Sequence, residues 1–212
     1  MCEYDHHGLP PLEADEYLLD TPFVRRLVAT VRERRERAAG AAEACEAIRP
    51  VFEEALADRD WLPAAFQRDV PASGMGGGIG QWLLFRSADR SLCLFSLVVP
   101  PGSMTPIHDH LAWGLVGLYR GKQDEEFYRP LDGTIELTRR RPLAPGDSYV
   151  LLPPVDDVHR VRTTSAETSV SIHLLANDTG CTERHTYDER TGLARPFRSG
   201  YANAECDTAA GG

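Results

Sequence analysis

The spacing of hydrophobic positions changes its period about a third of the way along the chain. From Thr21-Pro22, an N-cap residue followed by proline in the first turn, the apolar residues Phe23, Leu27, Val28 and Val31 recur at helical spacing. This predicts a helix to about Ala39. Gly40 breaks it, and AAEACEAIRPVFEEALAD reads as a second helix perturbed at Pro50, since proline removes a backbone donor and disfavours helix just before it. WLPAAF then reads as a connector and ASGMGGGIG as a flexible turn, which lacks the lysine and following Ser/Thr of a phosphate-binding loop. From Gln81 onward short runs rich in Leu, Val, Phe, Tyr and Thr are separated by turn residues, which predicts strands near 81–87, 91–99, 105–110, 113–120, 124–129, 134–139, 147–152, 158–164 and 168–175. Asp132-Gly133 between two of them is a hairpin signal. Many short strands after a helical start predict a mainly β sandwich or barrel with helices at one end. Residues 1–65 are expected as a helical extension packed on the outside, and residues 66–212 as the barrel with a C-terminal tail, together one structural domain.

Chemistry-bearing residues fall on this pattern at two places. In PGSMTPIHDHLAWGLVGLYRG, His108 and His110 are one residue apart in a strand-like run, so they share one face while Asp109 points away. Two imidazoles on one wall can grip one metal ion, although an HxH also occurs in ordinary strands. In TSVSIHLLAND, Ser169, Ser171, His173 and Leu175 share one face, and Val170, Ile172 and Leu174 the other. Buried hydroxyls and imidazoles need partners, so this row is either a satisfied core pair or part of a site.

Composition narrows the function classes. The chain has 212 residues, 42% of them hydrophobic, enough for a sizeable core. A net charge of −9 disfavours a nucleic-acid partner, and the basic run VRERRERAA is interleaved with glutamates as on a solvated helix face. No apolar run approaches the roughly 20 residues of a membrane span, and MCEYDHHGLPPLEADEY lacks a targeting pattern. Cys2, Cys45, Cys93, Cys181 and Cys206 are scattered, odd in number and without CxxC spacing, which predicts reduced thiols in a cytosol, with neither a disulfide framework nor a thiolate zinc site.

The spacing around the His pair is Gly102, five residues, His108, Asp109, His110, three residues, Gly114, six residues, Gly121. It resembles the first signature motif of the cupins, metal-holding β-barrels, with Gly114 where most of them carry a glutamate ligand. The stretch is similar to the TPxHDHxxWGLxGxxRG pattern of the thiol dioxygenase branch, especially bacterial enzymes of the 3-mercaptopropionate dioxygenase kind. LAPGDSYVLLPPVDDVHRV resembles the second cupin motif through Gly146, Pro153-Pro154 and His159, and the tail ERHTYDERTGLARPFRSGYAN resembles the closing segment of those dioxygenases. Taken by itself, His159 also fits a surface histidine beside Asp156 and Asp157.

The resemblance implies a cupin double-stranded β-helix (jelly-roll) barrel with Fe(II) held by His108, His110 and His159. Its partners are then O2 and a small thiol or thione, whose sulfur takes up both oxygen atoms to give a sulfinic acid. The family relay Ser-x-His-x-Tyr matches Ser171 and His173, with Leu175 in the tyrosine's place. Gln81 in GQWLLF matches a glutamine of the mercaptopropionate-type pattern, where cysteine-selective members have arginine. Gln81, Trp113 and Leu175 are therefore expected at the substrate, which is 3-mercaptopropionate-like or bulkier, such as ergothioneine. Gly114 and Leu175 together exclude the Cys-Tyr crosslink of cysteine-selective animal enzymes. Without a carboxylate ligand the centre is expected to keep its full positive charge until substrate arrives, lowering the pKa of a bound thiol. Two rival readings are a metal-binding cupin acting as a small-molecule sensor and a cupin oxygenase of a non-sulfur substrate.

Overall fold

The computed structural model describes residues 9–206. Cys2 and the first part of the amino-terminal segment lie outside the described residues. In chain order the elements are β1 (Glu16–Tyr17), α1 (Pro22–Arg37), α2 (Ala41–Ala57), β2 (Gly80–Arg86), β3 (Cys93–Val99), β4 (Ile107–His108), β5 (Gly114–Arg120) and β6 (Gln123–Leu131). They continue with β7 (Thr134–Leu143), β8 (Ser148–Leu151), β9 (His159–Thr163), β10 (Ser169–Leu175), β11 (Arg184–Tyr187) and β12 (Ala194–Phe197). Two six-stranded antiparallel sheets face each other, with strand orders β1-β2-β3-β10-β5-β8 and β12-β11-β4-β9-β6-β7. This is a mainly β fold, two facing antiparallel sheets with two α-helices on the outside.

The helices form where the sequence places them. Thr21 Oγ1 accepts from Val24 N, and Val24, Leu27, Val28 and Val31 are buried on one face of α1. α2 runs through Pro50 without a break, a difference from the expected perturbation. Both helices pack on the outer face of the first sheet, against Leu84, Leu94, Val98, Leu115, Val170, Ile172 and Leu174. Gly117 of β5 permits the close approach: a Cβ there would lie 2.3 Å from Leu56 Cδ1. The first sheet is therefore buried on both faces, which explains why its strands read as nearly continuous apolar runs. Its inner face, with Leu83, Phe95, Leu97, Val116, Leu118 and Leu175, meets Phe127, Leu143 and Val161 of the second sheet inside the barrel.

Three strands had no strand prediction: β1 and β12 are edge strands and β11 lies between β12 and β4, and all three are too short or too exposed to alternate. The predicted strand 105–110 is ordered as a ladder only at Ile107–His108, because the chain turns at Leu111, whose φ is 55°.

The cysteine reading is corrected. Cys181 and Cys206 form a disulfide, while Cys45 and Cys93 are buried free thiols. The tail it fastens lies along β2, with Ala202 N donating to Gln81 O at 2.7 Å and Asn203 exchanging two hydrogen bonds with the Leu83 backbone. Beneath it Asp178 is wholly buried and accepts from Arg90 (2.5 Å), Arg86 (3.3 Å) and Tyr201 (2.8 Å). A crosslink spanning 25 residues is expected to contribute about 3 kcal/mol by restricting the unfolded chain. Thermal unfolding with and without dithiothreitol should show a lowered midpoint on reduction, and Cys206→Ser should reproduce it; identical midpoints would contradict this. No helix among the described residues is long and apolar enough to cross a membrane.

Candidate metal centre

Three imidazoles converge inside the barrel. His108 ends β4 and pairs in register with His159, the first residue of β9, while His110 follows two residues after His108 in the turn. The ring centroids are 5.0 Å apart for His108 and His110, and 4.8 Å for each of them with His159. One nitrogen from each ring falls within 4.8 Å of the others, and all three residues are buried.

Each ring is turned by what its Nδ1 meets. His108 Nδ1 lies 2.9 Å from Pro106 O, and a carbonyl can only accept, so the proton sits on Nδ1 and Nε2 keeps its lone pair. His110 Nδ1 lies 3.2 Å from Asp157 Oδ1, whose carboxylate also accepts from the backbone N–H of His110 and Leu111. These last two bonds, not strand pleating, hold His110 toward His108. His159 Nδ1 lies 3.0 Å from Glu125 Oε2 and 3.2 Å from the Tyr149 hydroxyl. Asp109 points the other way, accepting from the His185 backbone (2.7 Å) and from Tyr187 Oη (2.9 Å).

Burial holds His108 and His110 well below the usual histidine range, reinforced by the charge that His159 would carry. Neutral imidazole is the ligand form. His159 Nε2 is buried without a hydrogen-bond partner. A buried nitrogen left this way is costly unless something accepts its lone pair, and a metal ion does so. Three converging imidazoles, each with its Nδ1 backed by an oxygen, therefore fit a bound transition-metal ion.

The wall facing these ligands belongs to β10. Ser171 Oγ lies 3.0 Å from His173 Nε2, and the His173 ring stacks on Phe95 at 4.7 Å with its centroid 6.5 Å from that of His110. His173 Nδ1 is buried and without a partner. Burial, then the positive charge that His110 and His159 would carry, keeps this imidazole well below the usual range. Gln81 of β2 stands opposite Leu97, which pairs with Ser171, so the register puts it in the same inward row, with its Nε2 buried and unpartnered. Leu175 also faces inward. It packs on Gly114, where a Cβ would lie 2.1 Å from Leu174 O and 2.6 Å from Leu175 Cδ2. Leu175 thus fills the space beside Gly114, and the close approach of β5 and β10 leaves no room for a cysteine there.

Trp113 is a correction. It is half-buried against the outer apolar cluster, and the Arg35 guanidinium of α1 lies 5.7 Å over its ring. It shares the parity of Leu115 and not that of Gly114 and Val116, so it belongs to the helix–sheet interface and does not join the histidines.

Four site residues were not singled out in the sequence. Asp157 appeared only as a neighbour of His159, and Glu125 and Tyr149 sit among ordinary strand residues. Arg184 opens β11 as a fully buried cation, pushed down to about 10 by burial and so still charged at neutral pH. Its guanidinium donates to Asp109 O (2.7 Å), Thr179 O (3.3 Å) and Ser199 Oγ (2.8 Å). It is close enough to act on the charge of His108, His110 and His173.

No protein-family model matches the chain. Among solved structures it is similar to oxalate decarboxylase of Lactobacillus farciminis, at 16% identity over 42% of this chain and 25% of that one, with a TM-score of 0.36. It is also similar to a cupin 2 domain-containing protein from Halorhodospira halophila, at 21% identity over 51% of this chain and 58% of that one (TM-score 0.34). A third likeness is to a protein with a double-stranded β-helix domain from Klebsiella pneumoniae, at 13% identity over 47% and 73% of the two chains (TM-score 0.38). The match spans only a quarter of the first of these chains and less than two thirds of the second.

Proposed function

We propose that the chain is a non-haem Fe(II) thiol dioxygenase whose substrate is a small carboxylate-bearing thiol of the 3-mercaptopropionate kind. The observation that carries the reading is the meeting of three buried imidazoles with an inward Ser171–His173 pair on the facing strand. His108, His110 and His159 would hold Fe(II), which supplies thiolate binding and transfer of both O2 atoms to sulfur, converting RSH and O2 to RSO2H.

The remaining parts of the site handle charge and protons. With Nε2–H given to Ser171 Oγ, His173 keeps an unpartnered Nδ1 lone pair, through which the proton released when the thiol ionises would pass. Arg184 has five N–H groups and three are used within the protein, so Nη1 and Nη2 each keep one for a carboxylate. Gln81 Nε2 offers a neutral donor on the same inner face as Ser171. An anionic group on the substrate is favoured by a buried cation that no carboxylate side chain pairs with directly among the described residues.

Oxygen uptake by the anaerobically Fe(II)-loaded protein against cysteine, 3-mercaptopropionate, cysteamine, mercaptosuccinate and ergothioneine tests the reading, with product mass. Uptake is expected with the carboxylate thiols, equimolar to thiol consumed and with two oxygens gained. No uptake with any thiol despite bound iron would favour the sensor or the non-sulfur oxygenase. Faster turnover of cysteamine, which has no carboxylate, than of cysteine, 3-mercaptopropionate and mercaptosuccinate would keep the chemistry and overturn the substrate class.

A further inference from the structure

The ligands of this centre are uncharged, yet a carboxylate is buried directly behind one of them. Glu125 lies on β6 between Gln123 and Phe127, the inward positions of that strand, and is wholly buried. Among the described residues its polar neighbours are uncharged in type: His159 Nδ1, 3.0 Å from Oε2, and the Tyr149 hydroxyl, which lies 3.2 Å from the same nitrogen and bonds to the carboxylate. Its neighbour shows what full compensation looks like in this barrel. Glu126 faces outward, and its carboxylate takes Arg160 at 2.6 Å, Arg140 at 3.1 Å and Tyr128 Oη at 2.8 Å. No arginine or lysine does this for Glu125 among the described residues. Arg141, opposite it on β7, instead donates to Ser148 O and lies over the Tyr149 ring.

A carboxylate removed from water without a cation is strongly destabilising. The position that can offset Glu125 is the far side of the His159 ring, where Nε2 has no partner. We propose that Glu125 is the charge-balancing carboxylate of the metal centre, acting through His159, with Tyr149 fixing the orientation of the ring. Glu125 holds the proton of His159 on Nδ1, strengthens Nε2 as a donor and offsets one unit of the ion's charge. Asp157 stands in the same relation to His110. Two carboxylates each one imidazole away bring a divalent centre close to neutrality before any substrate enters. This replaces the expectation from sequence that the centre keeps its full positive charge until a thiolate binds. Glu125 is a positioning residue, and the inference rests on the three-histidine ligand set, not on thiol chemistry.

Competition titration of Zn(II) and Fe(II) against a chromophoric chelator, on the full chain without any thiol, tests it. Glu125→Gln is expected to weaken metal affinity about 10–100-fold. The metal-free variant should unfold near the wild-type temperature, because the amide fills the same buried space beside His159. The Fe(III)/Fe(II) potential of the loaded variant should move to more positive values. Wild-type affinity in Glu125→Gln, or a metal-free protein destabilised in parallel with the affinity loss, would overturn the inference and leave Glu125 a structural residue. If Glu125→Gln does not fold, Glu125→Asp keeps the charge but withdraws it from Nδ1, and should show a smaller affinity loss; unchanged affinity there overturns the inference equally. His159→Ala is the reference and should bind no metal. Unaltered binding in His159→Ala would refute the ligand set itself, a separate outcome from failure of the Glu125 assignment.

Discussion

His110→Ala is expected to yield a folded protein with no bound metal and oxygen uptake at background, whereas His173→Ala is expected to keep its metal and lose turnover. The first half follows from the local hydrogen bonds. Asp157 accepts from the backbone N–H of residues 110 and 111, and alanine keeps both donors, so the turn survives while one of three converging nitrogens is lost. Losing a direct ligand should weaken binding by more than the ~100-fold upper end of changes made one shell further out. The second half follows from where His173 stands: its Nε2 is engaged by Ser171, its ring is stacked on Phe95, and its centroid is 6.5 Å from that of His110. Metal content after loading and desalting, oxygen uptake, and thermal unfolding of each variant make the comparison. Loss of metal from His173→Ala would make it a fourth ligand and remove the proton-handling role assigned to it.

The parts of this architecture that were legible in the sequence are those written as local pattern. The helix of Val24, Leu27, Val28 and Val31 has a 3.6-residue period and a capping threonine, and it forms as such. The opposite faces of β10, with Ser171 and His173 inward and Ile172 and Leu174 outward, follow from alternation alone. Alternation also placed His108 and His110 together, but for a partly different reason: β4 is over at His108, and Asp157, 47 residues away, holds the His110 backbone. Parity decides against Trp113 as well, because it lies on the Leu115 side of β5, a point that the resemblance alone did not weigh. Glu125 was not legible. A charged residue on an inward position looks like any edge-strand glutamate until the barrel closes around it and Glu126, beside it, takes the arginines. Cys181 and Cys206 carry no motif spacing; only the return of the tail along β2 brings them together.

β11 supplies the guanidinium on which the proposed substrate choice would turn. Gln81 stands at the position where cysteine-selective members of the resembled family have an arginine, and the structure offers a different guanidinium, Arg184, from the opposite sheet. Arg184→Gln is expected to raise KM for 3-mercaptopropionate roughly 100-fold, as when one partner of a buried charge pair is removed, while KM for the uncharged 2-mercaptoethanol changes little. Arg184→Lys keeps the charge but loses the planar fork, so it should fall between the two. The guanidinium also ties Asp109 O to Ser199 Oγ, hence metal content and unfolding temperature must accompany the kinetics. A structural strut would lower turnover of charged and uncharged thiols together and shift both of those controls. An anchor for the substrate carboxylate separates the two thiols, because an arriving carboxylate meets a buried cation whose Nη1 and Nη2 each still have an N–H to give, and a neutral thiol gains nothing from it.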